Sequence, residues 1–494
     1  MHLPLILDMA ADGLGDEIAL GSGETAITYA GLRERARAGA AFLGGTPADN
    51  TAFLGGNAPA FPIGLFASAI AGRPFVPVNY RLPDADLRKI LARTAPAVVI
   101  VDDEIVERAA GIEGVTVVPV SAFLAACEVP TPAPDEETIN DIAILLFTSG
   151  TTGEPKAAVL RQSNLASYVI STVEFMGAAF DGQATLMSVP PYHIAGVSAV
   201  LTALYGGRRM VQLAQFTPES WVETARAEAV THAMVVPTML GRILAVIERD
   251  GVTLPALRHL SYGGGRMPAS VIEKALELLP GVDFVNADGL TETSSTIAVL
   301  TPDDHRVCRA SEDPLIRRRL GSVGRPLPSL ELQVMAGEGV PAPAGELGEI
   351  WVRGEQVSGE YIGKKAIRDD GWFPTNDHGW LDADGYLFVE GRLDDVIVRG
   401  GENISPGEIE DVLRLHPAVV DVAVFGLPDD EWGEKVAAAV VAAEAIEGRL
   451  LTQWVRERLR STKAPEVVFF RVELPYNETG KLLRRALKAE LSGS

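Results

Sequence analysis

The chain has 494 residues, 47% of them hydrophobic and 22% charged, which is the composition of an ordinary globular protein. That length points to more than one domain and a large core. A formal net charge of −23 excludes nucleic acid as a partner, because a phosphate backbone repels such a surface.

Cys127 and Cys308 are far apart and lack metal-ligand spacing, so no disulfide framework or zinc site is expected and a reducing compartment fits. The start, Met1-His2-Leu3-Pro4, has no basic region before an apolar core. The longest apolar run, near Phe61 to Ala71, is too short for a transmembrane segment. The last residues, Leu491-Ser492-Gly493-Ser494, are not a peroxisomal tail. A soluble cytoplasmic protein is the expectation.

Up to about residue 140, helix-like and strand-like stretches alternate. Thr28-Tyr29-Ala30 opens a helix to about Leu43, and a second helical pattern runs from Asp84 to Thr94. Strands are predicted near Phe75–Val78 and Val98–Val101, so the fold class is α/β with substantial parallel sheet. Proline at every second position from Pro130 to Pro134 reads as a surface connection. An apolar run, Ile144 to Phe147, then ends in Thr148-Ser149-Gly150-Thr151-Thr152-Gly153-Glu154-Pro155-Lys156. Hydroxyls, glycines and a lysine packed this densely suit a phosphate. A second β-like run follows Lys156, so the loop joins two strands and is not a Walker A loop opening a helix. Read alone, it is equally a solvated Ser/Thr-rich hairpin.

Ser163-Asn164 are placed as N-caps of a helix from Leu165 to Met176. Pro190-Pro191-Tyr192-His193-Ile194-Ala195-Gly196 puts a histidine among apolar residues, where most histidines are simply core. Val235-Val236-Pro237-Thr238 and Leu260-Ser261-Tyr262-Gly263-Gly264-Gly265 read as strands ending in turns, where open α/β sheets bind ligands. A further strand, Asp283 to Val285, leads to Asp288-Gly289-Leu290-Thr291-Glu292. Beyond it come Gly371-Trp372-Phe373-Pro374-Thr375-Asn376-Asp377, Gly391-Arg392-Leu393-Asp394 and Gly400-Gly401-Glu402-Asn403. A new α/β unit begins near Glu408, and the chain closes through Leu474-Pro475-Tyr476-Asn477-Glu478-Thr479-Gly480-Lys481. Taken singly, the later segments are turns and a solvated lysine.

Together and in this order, they resemble the acyl-adenylate-forming superfamily, which contains acyl-CoA synthetases, aryl-CoA ligases, luciferases and nonribosomal-peptide adenylation domains. The resemblance covers nearly the whole chain. It implies that Thr148, Ser149, Gly150, Thr151, Thr152, Gly153 and Lys156 hold ATP phosphates, with Thr152 also catalytic. By the same resemblance Gly263, Gly264, Asp288, Gly289 and Thr291 line the nucleotide, and Asp377 and Arg392 take the ribose. His193, Gly196 and Gly265 border the acyl pocket. Glu292 holds Mg²⁺ and Lys481 is the adenylation lysine. Gly400 and Gly401 serve coenzyme A, and Asp394 is a hinge. Trp432, apart from the resemblance, is a candidate to stack on the coenzyme's adenine and reads nearly equally as a half-buried residue packing its own domain. Two positions depart from the pattern: Asp288 stands where the family has an aromatic residue, and Asn376 where it has glycine.

The resemblance therefore implies a large layered α/β domain, residues 1–393, and a small mobile α+β domain, residues 394–494. The activity implied is AMP-forming acid–CoA ligation, with ATP, Mg²⁺ and coenzyme A as the small-molecule partners of a carboxylic acid. A homodimer is left open. Apolar residues near the pocket (Ile194, Ala195, Val197, Met234, Val235) suit a hydrophobic acid, a fatty acid first and an aromatic or alicyclic acid next. The rival expectation is a stand-alone adenylating enzyme that loads a carrier protein.

Overall fold

The computed structural model describes residues 1–130, 139–148, 155–177, 181–337, 339–400, 402–429, 431–476 and 482–491, without the side chains of Asp394 and Asn403. Ser149, Gly150, Thr151, Thr152, Gly153, Gly401 and Lys481 lie outside the described residues, and of Asp394 only the backbone is described.

Among the described residues, two large sheets form the body of the protein. In one, six strands run parallel in the spatial order Asp283–Leu290, His259–Tyr262, His232–Val235, Ala184–Met187, Arg209–Gln212 and Ile18–Leu20. Antiparallel strands close both edges. The other sheet is parallel through Val115–Pro119, Ala97–Val101, Asn50–Leu54, Phe75–Pro77 and Ile142–Thr148. It then turns antiparallel through Lys156–Arg161 and ends on the short strands Glu360–Tyr361 and Lys364–Lys365. Parallel strands are buried on both faces, which is why they read as unbroken apolar runs. Helices Leu3–Leu14, Tyr29–Gly44, Ala60–Ile70 and Ile194–Gly206 fill the space between the sheets with one continuous core. A smaller antiparallel sheet, containing Gly348–Arg353, Phe373–Leu381 and Leu387–Arg392, follows.

The C-terminal part builds its own sheet around the long pair Val419–Asp429 and Gly433–Ala442, with Val467–Arg471 parallel to the latter. Apolar residues between Ile397 and Leu491 pack on its two faces without joining the body's cores. The molecule is thus a large N-terminal and a small C-terminal domain.

Several local expectations hold: the helices Tyr29–Gly44 and Asp84–Thr94, and the two antiparallel strands around the Thr148–Lys156 loop. One is corrected. The helix expected from Leu165 to Met176 is Gln162–Thr172. Asn164 does not cap it from outside; it sits in the first turn, where its Oδ1 accepts the Arg161 N–H at 2.9 Å. The third helical residue can satisfy the cap backbone as well as the cap residue can satisfy the helix.

Candidate active site

The site is gathered where the strands of both sheets end. Thr148 closes one strand and Lys156 opens the next, directly opposite in register, with the Thr148 hydroxyl donating to the Lys156 carbonyl at 3.4 Å. Arg93 secures the start of the return strand, donating to the Pro155 carbonyl at 2.6 Å and lying over the Phe147 ring.

Glu292 sits in a single 3₁₀ turn, Thr291–Thr293, immediately after the strand Asp283–Leu290. The turn abuts Lys156–Arg161, so Thr291, Glu292 and the phosphate-loop strand are neighbours. Glu292 is buried, and its Oε1 accepts the Tyr361 hydroxyl at 2.5 Å. Burial, reinforced by the Glu292 carboxylate, holds the Tyr361 phenol well above its ordinary pKa, so it remains a donor. Among the described residues, no group of three or more His, Cys, Asp or Glu side chains could cage a metal ion. One carboxylate is nevertheless enough for Mg²⁺, which keeps waters and completes its shell with substrate phosphates. Glu292 beside a phosphate loop fits that ion. Tyr361 was not singled out by sequence. A two-residue strand that pairs Tyr361 with Ala158, more than 200 positions away, leaves no local pattern.

Asp377 and Arg392 face each other in register across Phe373–Leu381 and Leu387–Arg392, and Arg392 Nε lies 2.9 Å from Asp377 Oδ1. Arg392 also donates to the Thr375 carbonyl at 3.0 Å. The departure at Asn376 leaves this geometry intact. Asn376 takes φ +63°, a left-handed conformation that asparagine tolerates better than other non-glycine residues. Asp288 adjoins this pair from the end of its own strand. Burial, with Asp377 adding and Arg392 opposing, pushes its carboxyl up to about 7. Asp288 thus brings a proton-binding group where an aromatic ring was expected.

Gly263 and Gly289 are required by the backbone. A Cβ on Gly263 would meet the Ala287 carbonyl oxygen at 2.1 Å, and one on Gly289 the Ser295 carbonyl oxygen at 1.8 Å. Gly264 and Gly265 stand on the exposed side of the same turn. His193 precedes helix Ile194–Gly206, its ring tilted against Tyr192 at 4.6 Å. Burial, and secondarily Arg81, push its pKa down to about 4, so it is neutral at ordinary pH. Gly196 donates its N–H to the His193 carbonyl at 2.9 Å and is buried against Pro190 and Pro191. The Ser198 hydroxyl reaches the Ser294 carbonyl at 3.5 Å, so this apolar helix walls the cleft behind Glu292.

The C-terminal domain meets the cleft at two places. Arg266, next to Gly265, lies 3.2 Å from Glu390 and 2.5 Å from Asp411 of helix Pro406–Arg414. Tyr476 joins Tyr80, Arg81, Pro190, Pro191 and Phe216 around a cavity of about 360 Å³ beside the His193 segment. Tyr476 also pairs with Leu482 in an antiparallel bridge. Gly400 and Trp432 adjoin each other: the Gly400 N–H donates to the Trp432 carbonyl at 2.8 Å, and Arg399 lies over the indole. Trp432 is 46% exposed. The structure therefore brings together Thr148, Lys156, Thr291, Glu292 and, nearby, Asp288, Asp377 and Arg392, while Gly400 and Trp432 form a separate pair.

Glu292 beside the strand that Lys156 opens, with the Asp377–Arg392 pair close to Asp288, is an arrangement suited to a nucleotide and its metal ion. The comparisons sharpen this. Residues 7–362 match the AMP-binding enzyme family and residues 408–481 match the AMP-binding enzyme C-terminal domain. A feruloyl-CoA synthase from an Amycolatopsis species is 35% identical over 478 residues, 94% of each chain. A fatty acid–[acyl-carrier-protein] ligase from Streptomyces coeruleorubidus is 32% identical, covering 90% of this chain and 88% of that one. The o-succinylbenzoate coenzyme A synthetase from Bacillus subtilis, solved with ATP and magnesium ion, superposes with a TM-score of 0.83 at 28% identity, covering 98% and 99%. The chain belongs to the AMP-binding enzyme family and is of its AMP-forming acid–CoA ligase kind, with ATP, magnesium and coenzyme A as the family's small molecules.

Proposed function

We propose that the protein activates an aromatic carboxylic acid as its acyl-AMP and transfers the acyl group to coenzyme A. Support comes from the clustering of Glu292, Lys156 and the Asp377–Arg392 pair beside an apolar wall carrying a neutral, half-buried His193. Relatives named for feruloyl-CoA and o-succinylbenzoate favour a ring-bearing acid over the fatty acid expected from apolarity alone. A fatty acid is the second reading, carried by the fatty acid–[acyl-carrier-protein] ligase relative, which also keeps a carrier-protein thiol in view.

In the first step the acid's carboxylate oxygen attacks the α-phosphorus and pyrophosphate leaves. Thr148 to Lys156 cradle the phosphates, and Asp377 and Arg392 orient the ribose. Glu292 would hold Mg²⁺, and the ion would supply charge neutralisation to the phosphates there. Lys481 stabilises charge shared by carboxylate and α-phosphate. In the second step a thiolate attacks the acyl carbon and AMP leaves, with Gly400, Gly401 and Trp432 guiding coenzyme A. Neutral His193 lines the acid's entry and adds no charge there. We place the domain boundary at residues 393/394 and the protein in the cytoplasm; among the described residues no helix is long and apolar enough to cross a membrane. A pyrophosphate-release screen over cinnamic-type, benzoic-type and straight-chain acids tests the substrate. Faster release with ring-bearing acids is expected, and a clear preference for long straight chains overturns that choice.

Asp288 gives this nucleotide site a pH dependence. Its folded pKa, about 7, is raised above the unfolded carboxyl value, so its bound proton stabilises the fold at low pH and that contribution is lost as pH rises through 7. An ionised Asp288 beside Asp377 also repels an anionic nucleotide. AMP affinity should therefore fall about tenfold between about pH 6 and about pH 8, the limit for one linked proton. Calorimetric titration of Asp288→Asn should show a flat profile; a mutant that keeps the wild-type slope removes Asp288 as its source.

A further inference from the structure

Resting on the reading of Glu292 as the magnesium carboxylate, we infer that Tyr361 is a positioning residue that presets this carboxylate and ties it to the phosphate-loop strand. Each residue of the segment Ser358–Ile362 touches Glu292 or the Lys156–Arg161 strand, and Ser358 and Tyr361 touch both. Ser358 and Gly359 each donate their N–H to the Glu292 carbonyl, at 2.8 and 3.1 Å. The Ser358 hydroxyl donates to the Val159 carbonyl. Glu360 grips Arg161 through two hydrogen bonds of 3.0 Å. Tyr361 stands in register with Ala158, and Ile362 donates to the Ala157 carbonyl at 3.0 Å. From this anchored backbone the Tyr361 hydroxyl reaches Glu292 Oε1 at 2.5 Å.

The consequence is specific to the side chain. The backbone bonds from Ser358 and Gly359 fix where residue 292 sits, but leave its rotors free. The Tyr361 hydroxyl removes that freedom. It occupies one carboxylate oxygen and leaves Oε2 without a hydrogen-bond partner among the described residues. A preset ligand binds a metal without first having to be ordered, which is how supporting hydrogen bonds tune metal sites generally. Because the same segment pairs with the strand that Lys156 opens, the carboxylate is registered to the phosphate loop it must share an ion with.

The test is a titration of ATP binding with Mg²⁺, read by calorimetry in the absence of acid, so that no turnover enters. Tyr361→Phe keeps the ring and removes only the donor. The Mg²⁺ concentration for half-maximal ATP binding should rise about tenfold, while AMP affinity measured without metal stays within about twofold. In Glu292→Gln the same Mg²⁺ requirement should rise, and adding Tyr361→Phe should raise it no further, since the hydroxyl acts only through the carboxylate. A Tyr361→Phe enzyme with unchanged Mg²⁺ dependence overturns the positioning role while leaving Glu292 in place, provided Glu292→Gln shifts it. An unshifted Glu292→Gln removes the metal reading itself. Parallel loss of AMP binding in Tyr361→Phe also overturns the proposal, because the defect then lies in the folding of the segment.

Discussion

Lys481→Ala should cost acyl-adenylate formation at least about a thousandfold, yet leave thioester formation from supplied acyl-AMP and coenzyme A close to normal. The first half-reaction concentrates negative charge on the α-phosphate and the attacking carboxylate together, and a point charge placed there acts most strongly in the transition state. The second expels AMP from an acyl carbon and makes no such demand. Lys481 lies outside the described residues; Tyr476 pairs with Leu482 and borders the cavity beside His193. ATP–pyrophosphate exchange measures the first step alone. Normal exchange in the alanine variant would remove Lys481 from it.

Asp394→Pro should separate the two half-reactions in the opposite sense, preserving adenylation and slowing thioester formation by orders of magnitude. Lys481 and Gly400 belong to one small domain whose core, between Ile397 and Leu491, is its own. On the proposed roles the two serve different half-reactions at one cleft, and a reorientation of the domain between the steps is the motive for this variant. The chain enters the domain through the 3₁₀ turn Leu393–Asp395, directly after Arg392. Proline at 394 fixes φ near −65° and restricts Leu393, in a stretch where a few dihedrals would otherwise absorb the rotation. The present orientation is also held by Arg266 between Glu390 and Asp411. Single-turnover timing of each step in the folded variant decides the matter: equal slowing of both removes Asp394 as the hinge of an alternating cycle.

What could be read from sequence was what local pattern encodes. The apolar run ending at Thr148, and its resumption after Lys156, read as two strands, and the two do pair antiparallel. Asp377 and Arg392 lie fifteen residues apart yet pair because they sit on adjacent strands, which their motifs implied without showing the 2.9 Å contact. Other features depend on distant partners. The Tyr361–Glu292 contact spans 69 positions. Asp288 looked like a lost aromatic surface, and only burial beside Asp377 makes it a titrating group. Asn376 looked like a disturbed turn, but it takes a left-handed backbone, the conformation glycine adopts most easily and asparagine tolerates. The helix start at Gln162 was misplaced by three residues because Asn164 can cap from inside the first turn as readily as from outside.

The most direct measurement of the whole account is AMP release from a ring-bearing acid and Mg·ATP, followed in parallel with pyrophosphate, with coenzyme A present or absent. Two steps at one site predict a burst of pyrophosphate equal to the enzyme when the thiol is missing, with acyl-AMP retained. Adding coenzyme A should release AMP and acyl-CoA in equal amounts over many turnovers. If coenzyme A leaves the bound acyl-AMP untouched, while a phosphopantetheinyl carrier protein discharges it, the proposed acid–CoA ligation is contradicted.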